Sequence, residues 1–221
     1  MVTDVVLMAG GLGLRLHPLT IHVPKPMLTV GSKPILEKIV EKFIAQDFRR
    51  FVFCVNYKRE LIEGYFGDGS RWEAEISYVR ETEPLGTAGA LRLMPRPSEP
   101  FIVSNADVLT DLSYAKLMKH HVRSGADATV CRALHQYQVP YGVAEADVYG
   151  QLVGIQEKPV VSWPVAAGIY VLNPEALGFA AEGRLDMPDL ISRLGTVSTF
   201  DISEPWQDIG TLTCLEEAQR G

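Results

Sequence analysis

Val5-Val6-Leu7-Met8-Ala9-Gly10-Gly11-Leu12-Gly13-Leu14-Arg15 decides how the rest of the chain is read. Residues 5–8 form a short apolar run of the kind that makes a buried strand, and the run empties directly into three glycines. With no Cβ in the way, backbone N–H groups there can approach an anion closely. A strand opening into such a loop is a phosphate-binding candidate, with a plain tight turn as the alternative. It is not a P-loop, because no Gly-Lys-Ser/Thr follows, and Leu16 stands where a dinucleotide fingerprint needs its third glycine.

Further β-rich runs at 51–55, 76–79 and 101–104 alternate with helical patterns, which predicts a parallel sheet. Residues 34–45 place Ile35, Leu36, Ile39, Val40 and Phe43 on one helical face, with Pro34 in the first turn, so this helix is expected to pack on the sheet. Ser113 begins another helix, and 127–131, 143–145, 152–156 and 169–172 predict further strands of a mixed sheet. Asn173-Pro174 and Met187-Pro188 punctuate the second half. No Gly/Ser-rich linker, charge block or fixed repeat divides the chain, so a single domain over 1–221 is expected.

The 221 residues, 47% hydrophobic and 22% charged, supply ample core for one α/β domain. A net charge of −6 argues against a nucleic-acid partner, whose binding draws on clustered Lys and Arg. No apolar stretch approaches the roughly 20 residues needed to cross a bilayer, and no basic segment precedes residues 5–8. A cytoplasmic protein with no membrane partner is therefore expected. Cys54, Cys131 and Cys214 are scattered singly and read as reduced packing residues.

Cations flank the glycine loop. Arg15-Leu16-His17-Pro18-Leu19-Thr20 and Pro24-Lys25-Pro26-Met27-Leu28 bring Arg15 and Lys25 beside it, and the two prolines are expected to hold Lys25 in a stiff, extended segment. Asp107 follows the apolar run 101–104 and belongs at the carboxyl end of a strand, where ligands bind in open α/β sheets, with a turn or capping role as the alternative.

These segments resemble the sugar nucleotidyltransferases, the nucleotide-sugar pyrophosphorylases, whose signature is similar to Gly-Gly-x-Gly-x-Arg-Leu-x-Pro-Leu-Thr followed by Pro-Lys-Pro. The resemblance continues in family order through Glu83-Pro84-Leu85-Gly86-Thr87-Ala88-Gly89, Asn105-Ala106-Asp107, Tyr141-Gly142-Val143, Glu157-Lys158-Pro159, Gly168-Ile169-Tyr170 and Trp206-Gln207-Asp208-Ile209-Gly210. It implies a Rossmann-like three-layer α/β sandwich around a mixed, mainly parallel sheet, the GT-A-like nucleotidyltransferase fold. It also implies an enzyme that joins a nucleoside triphosphate to a sugar 1-phosphate and releases pyrophosphate.

By the same resemblance, Ala9, Gly10, Gly11, Gly13, Arg15, Lys25, Gly86 and Thr87 would bind the nucleotide, and Asn105, Gly142, Glu157 and Lys158 the sugar phosphate. Asp107 and Asp208 would hold Mg2+, for which two hard oxygen ligands completed by phosphates and water are suited. Arg15, Lys25, Asp107 and Lys158 would carry the transfer. Glu81 bears on the base: an acceptor-only carboxylate can take the N1–H and amino protons of guanine, whereas uracil or thymine would turn a carbonyl toward it. That favours GTP, with a plain surface glutamate as the alternative. The segments look closest to short sugar 1-phosphate guanylyltransferases, a family whose members often form homodimers, although no motif here marks an interface.

Four positions depart from the family pattern. Leu14 replaces a small Ser or Thr, His17 an arginine, Ala106 a glycine, and Ala166 an Asn that contacts the sugar side, a lost hydrogen bond that leaves open an unusual sugar or one short of a hydroxyl. A GT-A glycosyltransferase would use an Asp-x-Asp motif, which Asn105-Ala106-Asp107 matches in part, but it would leave Arg15 and Lys25 with no triphosphate tail to hold. The remaining readings are a nucleotide-binding sensor without turnover and a UTP- or CTP-dependent transferase for another phosphate acceptor. The chain ends soon after Gly210, so a minimal catalytic core without a β-helix is expected.

Overall fold

The computed structural model describes residues 3–180 and 183–220. The first half comprises β1 (Asp4–Met8), the short strands β2 (Thr29–Val30) and β3 (Lys33–Pro34), α1 (Ile35–Ile44), β4 (Arg50–Val55), α2 (Arg59–Phe66), β5 (Glu75–Arg80), β6 (Phe101–Asn105), β7 (Val108–Thr110) and α3 (Tyr114–Ser124). The second comprises β8 (Ala128–Gln138), β9 (Val143–Ala146), β10 (Leu152–Gln156), β11 (Val160–Leu172), α4 (Met187–Ser192), β12 (Val197–Asp201), β13 (Trp206–Asp208) and α5 (Leu212–Arg220).

Seven strands form one sheet in the order β12-β8-β11-β6-β1-β4-β5. β1 runs parallel to β4 and β6, β4 to β5, and β8 to β12, while β11 is antiparallel to both β6 and β8. The sheet is thus mixed and mainly parallel, as expected. Its central strands are apolar on both faces because both faces are covered. Val5, Leu7, Phe51, Phe53 and Ile102 face the layer containing α1, α2, α3 and α5. Val6, Cys54 and Val103 face the layer containing α4 and the 3-10 turn Gly89–Leu93.

The face expected of α1 is the one buried: Ile35, Leu36, Ile39, Val40 and Phe43 all lie in the core. Phe43 stacks on Tyr114 of α3, with centroids 3.8 Å apart and planes at 19°, which ties the helices together over the sheet. Burying each such side chain is worth about 1.5–3 kcal/mol. Cys54 and Cys131 are free and buried, and burial pushes the Cys131 thiol up to about 12 and raises the Cys54 thiol too, so both are inert packing groups.

One expectation about the sheet needs correction. β9 and β10 do not join the mixed sheet; they pair only with each other, as a separate two-stranded sheet. Period-2 patterning marks a strand but not its partner, and here β8 and β11, 11 and 13 residues long, run on past the main sheet with the hairpin between them. α2 carries no start signal in the sequence, since its N-cap, Lys58, lies in left-handed backbone (φ 51°) with no side-chain cap. Among the described residues no helix is long and apolar enough to cross a membrane.

Candidate active site

The carboxyl ends of the parallel strands surround a cavity of about 530 Å³, where open α/β sheets bind ligands. The glycine loop after β1 lines it through Gly10, Gly11 and Gly13. Gly13 adopts φ +64°, and the Thr20 hydroxyl donates to its carbonyl at 2.9 Å, pinning the turn. At Gly10 a Cβ would lie 2.5 Å from Glu81 Oε1, so the absence of a side chain lets the loop and this carboxylate sit this close. Ala9 is buried, and its N–H donates to the Cys54 carbonyl at 2.8 Å, so that donor is already used.

Lys25 is not in an extended segment. Pro24 is extended, but Lys25 opens the 3-10 turn Lys25–Met27, closed by Met27 N–H donating to the Pro24 carbonyl at 2.8 Å. The turn buries the lysine to 9% exposure, where its ammonium pairs with Asp107 and lies 3.9 Å from Asp208 Oδ1. Asp107 lies in the turn between β6 and β7, and Asp208 ends β13, which pairs antiparallel with β7. Ile209 N–H also donates to the Asp107 carbonyl at 2.9 Å, so backbone pairing across a hundred residues of sequence brings the two carboxylates together.

Asp107 Oδ1 and Asp208 Oδ1 are buried without a hydrogen-bond partner. Burial, then repulsion from Asp107, raises the Asp208 carboxyl, while Lys25 and Arg15 draw it back down. Two orphaned hard oxygens at the edge of the cavity fit a divalent cation whose other ligands come from elsewhere. Among the described residues no cluster of three or more His, Cys, Asp or Glu offers a complete cage. Arg15 converges on the same corner: a Cβ on Gly210 would lie 3.0 Å from Asp208 Oδ2 and 3.1 Å from Arg15 Nη2.

Glu81, Gly86 and Thr87 line another stretch of the cavity wall. Glu81 is only 5% exposed, Leu85 N–H donates to its Oε2 at 3.1 Å, and burial raises its carboxyl. Asn105 lines the cavity and packs against Gly168, whose φ of +73° accompanies the break in β8–β11 register between Ala166 and Tyr170. Gly142, Glu157 and Lys158 lie elsewhere, exposed on the arm formed by β9, β10 and the outer parts of β8 and β11. They are mutual neighbours: a Cβ on Gly142 would lie 3.0 Å from Glu157 Oε2, and Lys158 N–H donates to the Tyr141 carbonyl at 3.2 Å.

Asn56, Arg184 and Asp186 also line the cavity and were missed from the sequence. For Asp186 a signal existed, since an Asp directly before Met187-Pro188 marks a helix start. Asn56 and Arg184 carried none.

A family model described as nucleotidyl transferase matches residues 4–221. The chain is similar to the mannose-1-phosphate guanyltransferase of Yarrowia lipolytica, at 34% identity over 93% of this chain and 60% of that one. It is also similar to the UTP–glucose-1-phosphate uridylyltransferase of a Synechocystis strain, at 31% identity over 98% of this chain and 62% of that one. The chain therefore spans about 60% of the length of these curated relatives. The crystal structure of HddC from Yersinia pseudotuberculosis, complexed with GMP-PN, superposes with a TM-score of 0.77 at 24% identity, covering 99% of this chain and 98% of that one, which establishes the shared fold. With the glycine loop, the Lys25–Asp107–Asp208 corner and a family match over nearly its whole length, the chain belongs to the nucleotidyl transferase family.

Proposed function

We propose that this protein transfers the guanylyl group of GTP to a sugar 1-phosphate, with mannose 1-phosphate as the first candidate, and releases pyrophosphate. The observation that carries this reading is the corner where Arg15, Lys25, Asp107 and Asp208 meet beside a glycine loop, because it combines cations, orphaned carboxylate oxygens and open backbone at one strand end. Names of relatives support the sugar phosphate, and Glu81 supports the base. Glu81 spends Oε2 on Leu85, while Oε1 faces Gly10 beside the cavity, suited to the N1–H and amino protons of guanine.

In this reading the phosphate oxygen of the sugar 1-phosphate attacks the α-phosphorus in line, the bond to the β-phosphate oxygen breaks, and pyrophosphate leaves with the electron pair. The nucleophile is already an anion near neutral pH, so no protein nucleophile is required, in keeping with the raised thiols of Cys54 and Cys131. Catalysis then rests on positioning and charge. The N–H groups of the glycine loop and Arg15 receive the phosphates, and Lys25 adds positive charge where negative charge develops. Asp107 and Asp208 would hold Mg2+, which supplies further neutralisation of the phosphate oxygens. On the arm, Lys158 orients the attacking phosphate and Glu157 accepts hydrogen bonds from sugar hydroxyls.

The test is pyrophosphate release by the purified protein with magnesium and each of GTP, UTP, CTP, ATP and dTTP against mannose 1-phosphate and other hexose 1-phosphates. Release with GTP and mannose 1-phosphate is expected. Release with UTP and glucose 1-phosphate alone would overturn the base and the sugar, and silence across the panel despite nucleotide binding would favour a sensor.

A further inference from the structure

Residues 84–89, which include the Gly86 and Thr87 of the cavity wall, are held mainly by a segment a hundred residues further along the chain. Leu185 N–H donates to the Leu85 carbonyl at 2.8 Å, and Ala88 and Gly89 N–H donate to the Leu185 carbonyl at 2.9 and 3.1 Å. The next two residues add a reciprocal exchange. Thr87 N–H donates to Asp186 Oδ1 at 3.0 Å, while Met187 N–H donates to the Thr87 hydroxyl oxygen at 2.7 Å.

The exchange is unusual for a helix start. Asp186 is the N-cap of α4, a position where a carboxylate ordinarily accepts from its own first turn, yet it makes no such bond. The Thr87 hydroxyl satisfies Met187 N–H instead, which frees the Asp186 carboxylate to reach across to the loop. The contact is close enough to dictate sequence: Gly86 takes φ +82°, and a Cβ there would lie 2.6 Å from the Leu185 carbonyl oxygen and 2.7 Å from Asp186 Oδ1. Accepting the Thr87 N–H holds the Asp186 carboxyl below its ordinary range, so the acceptor stays ionised near neutral pH.

We propose that Asp186 is a positioning residue for the nucleotide, acting through Thr87 to fix the wall formed by residues 84–89 against which the nucleoside binds. Its other oxygen accepts from Arg184 Nη2 at 3.2 Å, so one carboxylate joins the loop to a cavity-lining cation. The inference rests on the reading that this cavity takes a nucleoside triphosphate. It adds that the affinity for that ligand depends on a hydrogen bond within the cavity wall itself.

The test measures the Kd of GTP alone by calorimetry, together with KM for GTP and for mannose 1-phosphate, in wild type, Asp186→Ala, Asp186→Asn, Thr87→Val and the Asp186→Ala/Thr87→Val pair. Losing a charge-assisted hydrogen bond predicts a rise of about tenfold in the Kd and KM of GTP for Asp186→Ala, with kcat and the other KM within about twofold. Asp186→Asn keeps an acceptor oxygen and is expected to recover most of the affinity, and the paired variant is expected to bind no worse than the poorer single one. A GTP affinity unchanged by Asp186→Ala, an equal rise in both KM values, no recovery in Asp186→Asn, or additive losses in the pair would each overturn the clasp. If Asp186→Ala does not fold, the Asp186→Asn and Thr87→Val variants decide on the same readouts. Wild type that binds no nucleoside triphosphate would instead sink the functional reading itself.

Discussion

Lys25 and Lys158 are both cations beside a proline, yet the chain treats them differently. Lys25 is buried, paired with Asp107 and within 3.9 Å of Asp208, in a turn closed by backbone hydrogen bonds. Lys158 is exposed on the arm at φ +44°, amid side chains such as Tyr141 and Trp163 that are 73% and 64% exposed. The phosphate corner is assembled by folding, so its ordering cost is met before a ligand arrives; the arm's side chains are exposed and are expected to order on binding. Nucleotide binding is thereby expected to be rigid and acceptor binding adaptable, which leaves the arm as the place where sugar preference is set.

The comparison is broken most severely through the core. Phe43→Ala, which removes the stack on Tyr114, is expected to cost about 3–5 kcal/mol in urea unfolding. Lys25→Ala is expected to lower kcat by about 10²–10³-fold in pyrophosphate release, because it removes charge at the reacting phosphates and leaves Asp107 unpaired. Lys158→Ala sharpens the contrast: KM for the sugar phosphate is expected to rise about tenfold while calorimetric GTP affinity is unchanged. Smallest is Tyr149→Ser, at a residue 87% exposed on the arm, expected to shift stability by no more than about 0.5 kcal/mol. Equal loss of GTP binding in the Lys25 and Lys158 variants would erase the distinction between the two regions.

The same division governs what the sequence disclosed. β1, β4, β5, β6 and α1 were legible because their apolar runs and helical stripe are dictated by burial on both faces of a parallel sheet. The glycine loop was legible as open backbone, whereas nothing in residues 5–9 marks the Ala9 N–H as already bonded to the Cys54 carbonyl. What patterning could not give was partnership: β9 and β10 read as strands but not as an arm, and only the β7–β13 ladder shows why Asp208 meets Asp107. The Asp186–Thr87 exchange was hidden for the same reason, since each residue taken alone looks like an ordinary cap or turn.

The account turns on Asp107, which pairs with Lys25 and leaves a buried oxygen without a hydrogen-bond partner in the cavity corner. Its most direct test is pyrophosphate release from triphosphate and sugar 1-phosphate by wild type and Asp107→Asn, each first shown to be folded by its unfolding curve. A fall of at least about a hundredfold in kcat is predicted for the variant. Turnover within a few-fold of wild type would contradict the assignment of this corner as the seat of the reaction.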